Sequence, residues 1–295
     1  YRPKQSARSL AGGRSFLIGL LYYDPSAIFV GSVQQGATLR CRELGYHLVV
    51  ESLHNDAPDL RQQIDRMVLA LRPDGMILTP PLCDNPEVLA ALRESGTPCV
   101  LMSPERDLRG VPSVRMDDVH AAEEITNLLL SLGHQRIAFI KGPPDQSASG
   151  LRYQGFVNAL RSHGLQPDPD LIQPGTFTFA GGRDAAHQLL SRRQRPTAVF
   201  ASNDDMALGV LAAAQRLGLA VPKELSVAGF DDSPTAALVW PPLTTVRQPV
   251  AEMARTAVEM LVSVQRPDMA SAGDEADLHK VLPHELVVRD STRAR

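Results

Sequence analysis

Apolar residues run along the chain in two alternating rhythms. Short, nearly continuous apolar runs ("SFLIGLLYY", "HLVVES", "GMILT", "PCVLM", "SVRMD") alternate with stretches whose apolar positions recur at helical spacing. Val30, Val33, Ala37, Cys41 and Leu44 line one face of a helix that Gly45 stops. Leu60, Ile64, Met67, Val68 and Leu71 line another, ending before Pro73-Asp74-Gly75, and a further helix falls around 86–95. A second series follows: helix 119–132, strand "RIAFI", helix 150–163 with Tyr153, Phe156, Val157 and Leu160 on one face, and a strand near 172–178. Helix 182–191, strand "TAVFA", helix 204–217 and strand "SVAGF" complete it. After "PPLTTV" comes one more helix (Met253, Ala257, Met260, Leu261, Val264). A polar, acidic loop through 266–279 then leads to a final strand, "VLPHELVVR".

Alternating strands and helices with fully apolar strands predict parallel sheets covered on both faces, an α/β class. Two series of similar make-up predict two subdomains. In open α/β sheets ligands sit beyond the carboxyl ends of the strands. That rule points to Tyr23 and Asp24, Ser103, Asn203 and Asp204, and Asp231 and Asp232.

Composition narrows the classes. At 295 residues the length fits about two domains. Thirty Lys and Arg against 33 Asp and Glu give a net charge of −3, so the body of the chain is no general nucleic-acid binder. The opening "YRPKQSARSLAGGRS" is nonetheless basic, with Arg2, Lys4, Arg8 and Arg14 and no acidic residue before Asp24. No apolar stretch approaches the ~20 residues a bilayer span needs, and no secretory h-region follows a basic start. Cys41, Cys83 and Cys99 are widely spaced and odd in number, which predicts free thiols and a cytoplasmic location.

The chemistry-bearing positions are few. The pairs Asp117-Asp118, Asp204-Asp205 and Asp231-Asp232 admit three uses: a hard metal or acid–base work, caps for the following helices, or fixing the hydroxyls of a polar ligand. No phosphate loop, GxSxG elbow, HExxH or CxxC is present, so no cofactor, no metal and no catalytic residue is expected. The eight histidines are scattered, and His134 and His187 read as surface or capping residues. Phe29 and Phe177 fall where aromatic faces could stack on a sugar or nucleobase, with core packing as the other reading. Arg152 lies off the apolar face of its helix, either as an exposed arginine or as a planar fork for a hydroxylated ligand near Asp231.

Taken together, "ARSLAGGRSFLIGLL", "GHQRIAFIKGPPDQSASGLRYQGFVNAL", "AVFASNDDMALGVLAAAQRLGLAVPKELSVAGFDD" and "PPLTTVRQP" resemble the lactose-repressor/galactose-repressor (LacI/GalR) family of bacterial transcription regulators, from about Ala7 to Arg289. The resemblance implies a type I periplasmic-binding-protein-like core of two Rossmann-like subdomains with three crossovers, near 115–118, 244–248 and 265–281. The subdomains would be 15–116 plus 247–265 and 117–246 plus 280–291, after a hinge remnant at 1–14. It implies no enzyme, but a homodimer that binds a small-molecule effector, a sugar or sugar derivative, in the cleft between subdomains. By matching positions, ligand contacts would be Tyr23, Asp24, Phe29, Ser103, Arg152, Phe177, Asn203, Asp204, Asp231 and Gln248. Two departures bear on the ligand's identity: the family's Asn-Pro-Phe-Phe is Ala27-Ile28-Phe29-Val30 here, and its usual Asp after the "VLM" strand is Ser103.

The resemblance also covers the basic opening. "YRPKQSARSL" matches the family's hinge, in which a leucine, here Leu10, wedges into the minor groove of operator DNA, with Arg8 as a groove or phosphate contact. The family's helix-turn-helix headpiece would lie before Tyr1, so the chain reads as an effector-binding and dimerisation core. Two other classes share parts of this pattern: an exported sugar-binding protein feeding a transporter, and an enzyme using the Asp pairs as a glycosidase would.

Overall fold

In the computed structural model, which describes residues 14–23, 26–265 and 278–295, the apolar runs become strands of two parallel sheets and of one two-stranded antiparallel pair. The chain divides into two units. One holds the chain through Arg115 together with Val250–Leu282; the other holds Met116–Pro249 and Pro283–Arg295.

In the first unit the strands are β1 (Leu17–Tyr22), β2 (His47–Ser52), β3 (Gly75–Leu78), β4 (Cys99–Met102), β5 (Ser113–Arg115) and β11 (His279–Val281), in the order β2-β1-β3-β4-β5-β11 and parallel throughout. The order reverses at β1, the kind of switch point where the connecting chain splays apart. Helices α1 (Ala27–Leu44) and α9 (Val250–Gln265) cover one face, packing Val33, Ala37, Cys41, Met253 and Ala257 on Ile18, Leu20, Ile77 and Val100. Helices α2 (Leu60–Leu71) and α3 (Pro86–Glu94) cover the other with Leu60, Ile64, Val88 and Leu92. The Ser26 hydroxyl accepts the Phe29 N–H to start α1, and Gly45, at φ +80°, ends it by donating to the Arg42 and Cys41 carbonyls.

The second unit repeats the plan with β6 (Ile137–Lys141), β7 (Ile172–Pro174), β8 (Ala198–Ala201) and β9 (Ser226–Ala228) in the order β7-β6-β8-β9. Single bridges from Ala228 to Thr244 and Asp231 to Arg247 lead from β9 to β10 (Thr245–Arg247), which pairs antiparallel with β12 (Glu285–Val287). Helices α4 (Asp118–Ser131) and α5 (Ser147–Ser162) set Ile125, Leu129, Phe156 and Leu160 on Phe139 and Phe200. Helices α6 (Phe179–Leu190) and α7 (Asp204–Arg216) set Ala186, Leu189, Met206 and Val210 on Ala138, Ile140 and Val199.

Several expectations change. The single final strand is two strands in different sheets, because Pro283 lacks the N–H to continue a ladder and the chain passes between units there. So β11 joins the first unit rather than the second, while Arg247 and Gln248 stay in the second because β10 pairs with β12. The strand near 172–178 stops at Pro174, and the next helix starts at Phe179, where the Thr178 hydroxyl caps it by accepting the Gly181 N–H. Helix α8 (Pro234–Leu238) and β10 were too short to carry a period. His134 is no surface residue: it is buried, bonding the Thr197 and Ser226 hydroxyls at 3.0 Å each, and burial lowers its imidazole pKa. All three cysteines are free.

Gly36 is where α1 meets α9, and a Cβ there would overlap the Ala251 carbonyl. Gly36→Val is expected to lower unfolding stability by about 1–3 kcal/mol through this overpacking. Urea denaturation checks it; an unchanged midpoint would show that the two helices separate freely.

Candidate functional site

The carboxyl ends of β6, β8 and β9 converge in the second unit, and the segments leaving them are held by side-chain caps. After β8 the chain reads Ser202-Asn203-Asp204 and enters α7. Asn203 caps that helix, its Oδ1 accepting the Met206 N–H at 3.0 Å, while its Nδ2 donates to the Phe177 carbonyl at 3.0 Å. The second bond holds the turn in which Phe177 adopts a left-handed φ of +56°. The Phe177 ring lies directly over Gly142, where any Cβ would collide with it. It is 6% exposed, so most of the ring packs in the core and only an edge is left for a ligand.

Arg152 is the centre of the site. It projects from α5 off the apolar face, but it is 5% exposed, not solvated. Its Nε donates to Asp118 Oδ1 at 2.8 Å and its Nη1 to the Ser202 carbonyl at 2.7 Å, with Asp231 Oδ1 at 3.8 Å. The guanidinium carbon stands 3.8 Å from the Phe230 ring centroid and 6.0 Å from that of Phe177. One buried cation thus ties α4, α5 and the ends of β8 and β9 together. The Ser202 hydroxyl beside it is buried and, among the described residues, has no hydrogen-bond partner. A buried hydroxyl of this kind is an open donor and acceptor at the strand ends.

The three neighbouring aspartates do different work. Asp204 is fully buried, with Oδ2 accepting the Ser233 N–H and Oδ1 accepting the Thr245 hydroxyl, each at 2.7 Å. Burial pushes its pKa up to about 6, against the pull of those hydrogen bonds, and the nearby Asp232 charge adds to the rise. Asp204 therefore latches the turn after β9 to β10 and offers no free edge to a ligand, contrary to the sequence expectation. Asp232 is paired with Arg247 at 2.7 Å and Arg289 at 2.5 Å. Asp231 sits at φ +132°, and its Oδ1 accepts Gln248 Nε2 at 2.5 Å. That backbone, sparsely populated by residues other than glycine, turns its carboxylate toward Arg152 and Gln248.

Of the predicted contacts, Arg152, Phe177, Asn203, Asp231 and Gln248 come together in this unit. In the first unit, Tyr23 lies half-buried at the end of β1, its ring 4.7 Å from that of His54. Phe29 is half-buried against the core under α1. Ser103, at φ +54°, donates its N–H to the Val114 carbonyl at 2.8 Å just after β4. Asp24, Arg8 and Leu10 lie outside the described residues. The sequence reading did not single out Ser202 or Phe230, and it named Asp118 only as one half of an acidic pair. In the Asp117-Asp118 pair, Asp117 is the cap, accepting the His120 N–H at 2.9 Å, and Asp118 is the partner of Arg152. Identical neighbours in sequence gave no signal for that division. No helix among the described residues is long and apolar enough to cross a membrane.

A family model described as a periplasmic binding protein-like domain matches residues 126–292. The HTH-type transcriptional repressor CytR of Escherichia coli K12 is 33% identical over 299 residues, covering 100% of this chain and 84% of CytR. The structure of a complex of the transcriptional regulator CelR with cellobiose superposes with a TM-score of 0.83 at 28% identity, covering 97% of this chain and 89% of that one. The lac repressor dimer bound to operator and the anti-inducer ONPF superposes with a TM-score of 0.85 at 27% identity over 100% of both chains.

Asp204 yields a pH prediction. Its folded pKa, about 6, lies above its ordinary value of 3.8, so the native state binds the extra proton. The stability this group contributes is present below about pH 4 and is lost as pH rises through about 6, where a buried charge must form. Asp204→Asn cannot ionise, so its unfolding free energy is expected to fall less than wild type between about pH 4 and about pH 7. Denaturant titrations across that range read the difference; parallel profiles would contradict the assignment.

Proposed function

The chain belongs to the LacI family of transcriptional regulators, and from that premise we propose that the Arg152 cluster reads a small polyhydroxylated effector, a sugar or sugar derivative. The observation that carries the proposal is the Arg152–Asp231–Gln248 group with the orphaned Ser202 hydroxyl beside it. Arg152 and the Gln248 amide supply donors, Asp231 supplies a carboxylate acceptor, and Ser202 can do either, the mixed set that vicinal hydroxyls need. That CelR is known with cellobiose bound supports the class. Tyr23 at the end of β1, Phe29 in the first turn of α1 and Ser103 just after β4 are assigned as further contacts, with Asp24, which lies outside the described residues; Asp204 is left to its latch.

As in its relatives, the output is control of transcription, not turnover, so the site needs differential affinity rather than a catalytic group. An effector that binds one of two arrangements of the protein better shifts their populations by that difference in affinity. Arg8 and Leu10 are assigned to operator contact, Leu10 as the minor-groove wedge, and this DNA role places the protein in the cytoplasm. A homodimer would match the two-fold symmetry of a palindromic operator. The second unit offers a surface for it: Trp240, 85% exposed, stands at an apolar groove also lined by Phe179, Leu208, Leu211 and Val239, and Leu238 two residues before it is 84% exposed.

Arg152→Ala is a poor test, because it strands the buried Asp118 carboxylate, and breaking such a pair costs about 3–5 kcal/mol. Asp231→Asn keeps the shape. Once a thermal-shift screen of mono- and disaccharides has found a ligand, calorimetry is expected to show roughly 10- to 100-fold weaker binding to that variant; equal affinity would remove Asp231 from the site. For the dimer, Trp240→Glu is expected to convert a sedimenting dimer to monomer, and an unchanged dimer would place the interface elsewhere.

A further inference from the structure

Outside the effector site, two histidines that lie far apart in the sequence meet a single carboxylate. His120 and Glu124 are one turn apart on α4, so they share a face of the helix. His284 follows Pro283 as the chain enters β12, and Leu286, on the same side of that segment, packs against the core beneath α4 and α5. That packing brings the His284 ring onto α4. His284 Nε2 lies 2.8 Å from Glu124 Oε2, and His120 Nε2 lies 3.4 Å from Glu124 Oε1. The two imidazoles meet edge to face with centroids 5.6 Å apart. All three candidate ligand atoms fall within 4.8 Å of one another. Among the described residues this is the one group of three His, Cys, Asp or Glu side chains that converges in this way.

We propose that His120, Glu124 and His284 form a binding site for one transition-metal ion of the Zn²⁺ class. Two imidazole nitrogens and one carboxylate are a donor set that suits Zn²⁺, Cu²⁺ or Ni²⁺ rather than Mg²⁺ or Ca²⁺, which take oxygen ligands. Tetrahedral ligands at about 2.0–2.2 Å from Zn²⁺ stand a little over 3 Å apart, so the present spacing needs only side-chain rotation to close on an ion. Three protein ligands leave a fourth position for water. His284 is 10% exposed at its side chain and His120 58%, so the ion enters from the His120 side.

The place of the site in the chain gives it a consequence. α4 starts directly after the crossing at Arg115–Met116, and His284 lies directly after the crossing at Leu282–Pro283. An ion held by both would fasten together two segments that have just entered the second unit. α4 also carries Asp118, the partner of Arg152. Metal loading would therefore stiffen the helix that orients the effector arginine; this consequence rests on the effector reading above, whereas the metal site itself does not.

Calorimetry of tag-free, chelator-stripped protein with ZnCl₂ alone tests the site without any sugar or DNA. The expected result is about one ion per chain and a rise in melting temperature that EDTA reverses. His120→Ala, at an exposed position that leaves the fold in place, is expected to weaken binding by more than the ~10- to 100-fold that losing a supporting outer residue costs. His284→Gln should do the same, with circular dichroism to confirm its fold. Co²⁺ should give a visible d–d spectrum in wild type that is lost in His120→Ala. No binding in wild type, or the same affinity and Co²⁺ spectrum in His120→Ala, would overturn the proposal.

Discussion

The second unit is organised around one interaction, the burial of the Arg152 guanidinium against Asp118. Both side chains are 6% exposed. A charge taken out of water to that degree is tolerable only with an opposite charge and further hydrogen bonds in place. Arg152 therefore dictates its surroundings: Asp118 on one edge, the Ser202 carbonyl on another, the Phe230 ring against its face. A side chain from α5 thereby fixes the start of α4 and the ends of β8 and β9. What it leaves toward Asp231 is a cation already desolvated and oriented, so a ligand hydroxyl would meet it without the entropy cost of ordering a mobile arginine.

Around that centre the backbone is held in conformations that few residues adopt willingly. Phe177, Asp231 and Asp232 all have positive φ without being glycine. Each is kept there by a specific bond or ion pair: Asn203 to the Phe177 carbonyl, Gln248 to Asp231, Arg247 and Arg289 to Asp232. Asp204, with a carboxyl that would sooner be neutral, closes the turn from below. The unfavourable geometry is concentrated at the strand ends, where a ligand would sit, and the well-packed sheet beneath supports it.

The sequence made much of this legible. Periodicity placed nearly every long helix and strand, since the apolar stripes that bury on folding repeat at the spacing of the element that buries them. The motifs "ASNDDMALG" and "AGFDD" fall at the ends of β8 and β9, close to Arg152. They could not separate the members of each pair. Asp204 and Asp231 look equivalent as residues after a strand; one became a structural latch and the other faces Arg152 and Gln248, because only Asp204 falls beneath the Ser233–Thr245 turn. Likewise Asp117 caps a helix while Asp118 pairs with Arg152.

By itself, then, the sequence determined the α/β class, the two series of elements and the family, and it named Phe177, Asn203, Asp231 and Gln248 near Arg152. These follow from local spacing and from motifs that are contiguous in the chain. Only the tertiary structure decided that Arg152 is buried and charge-paired, that the final apolar stretch splits at Pro283 into strands of two sheets, and that His120, Glu124 and His284 meet. Each of these depends on which distant segment packs alongside, and no periodicity within a segment records its neighbour's identity.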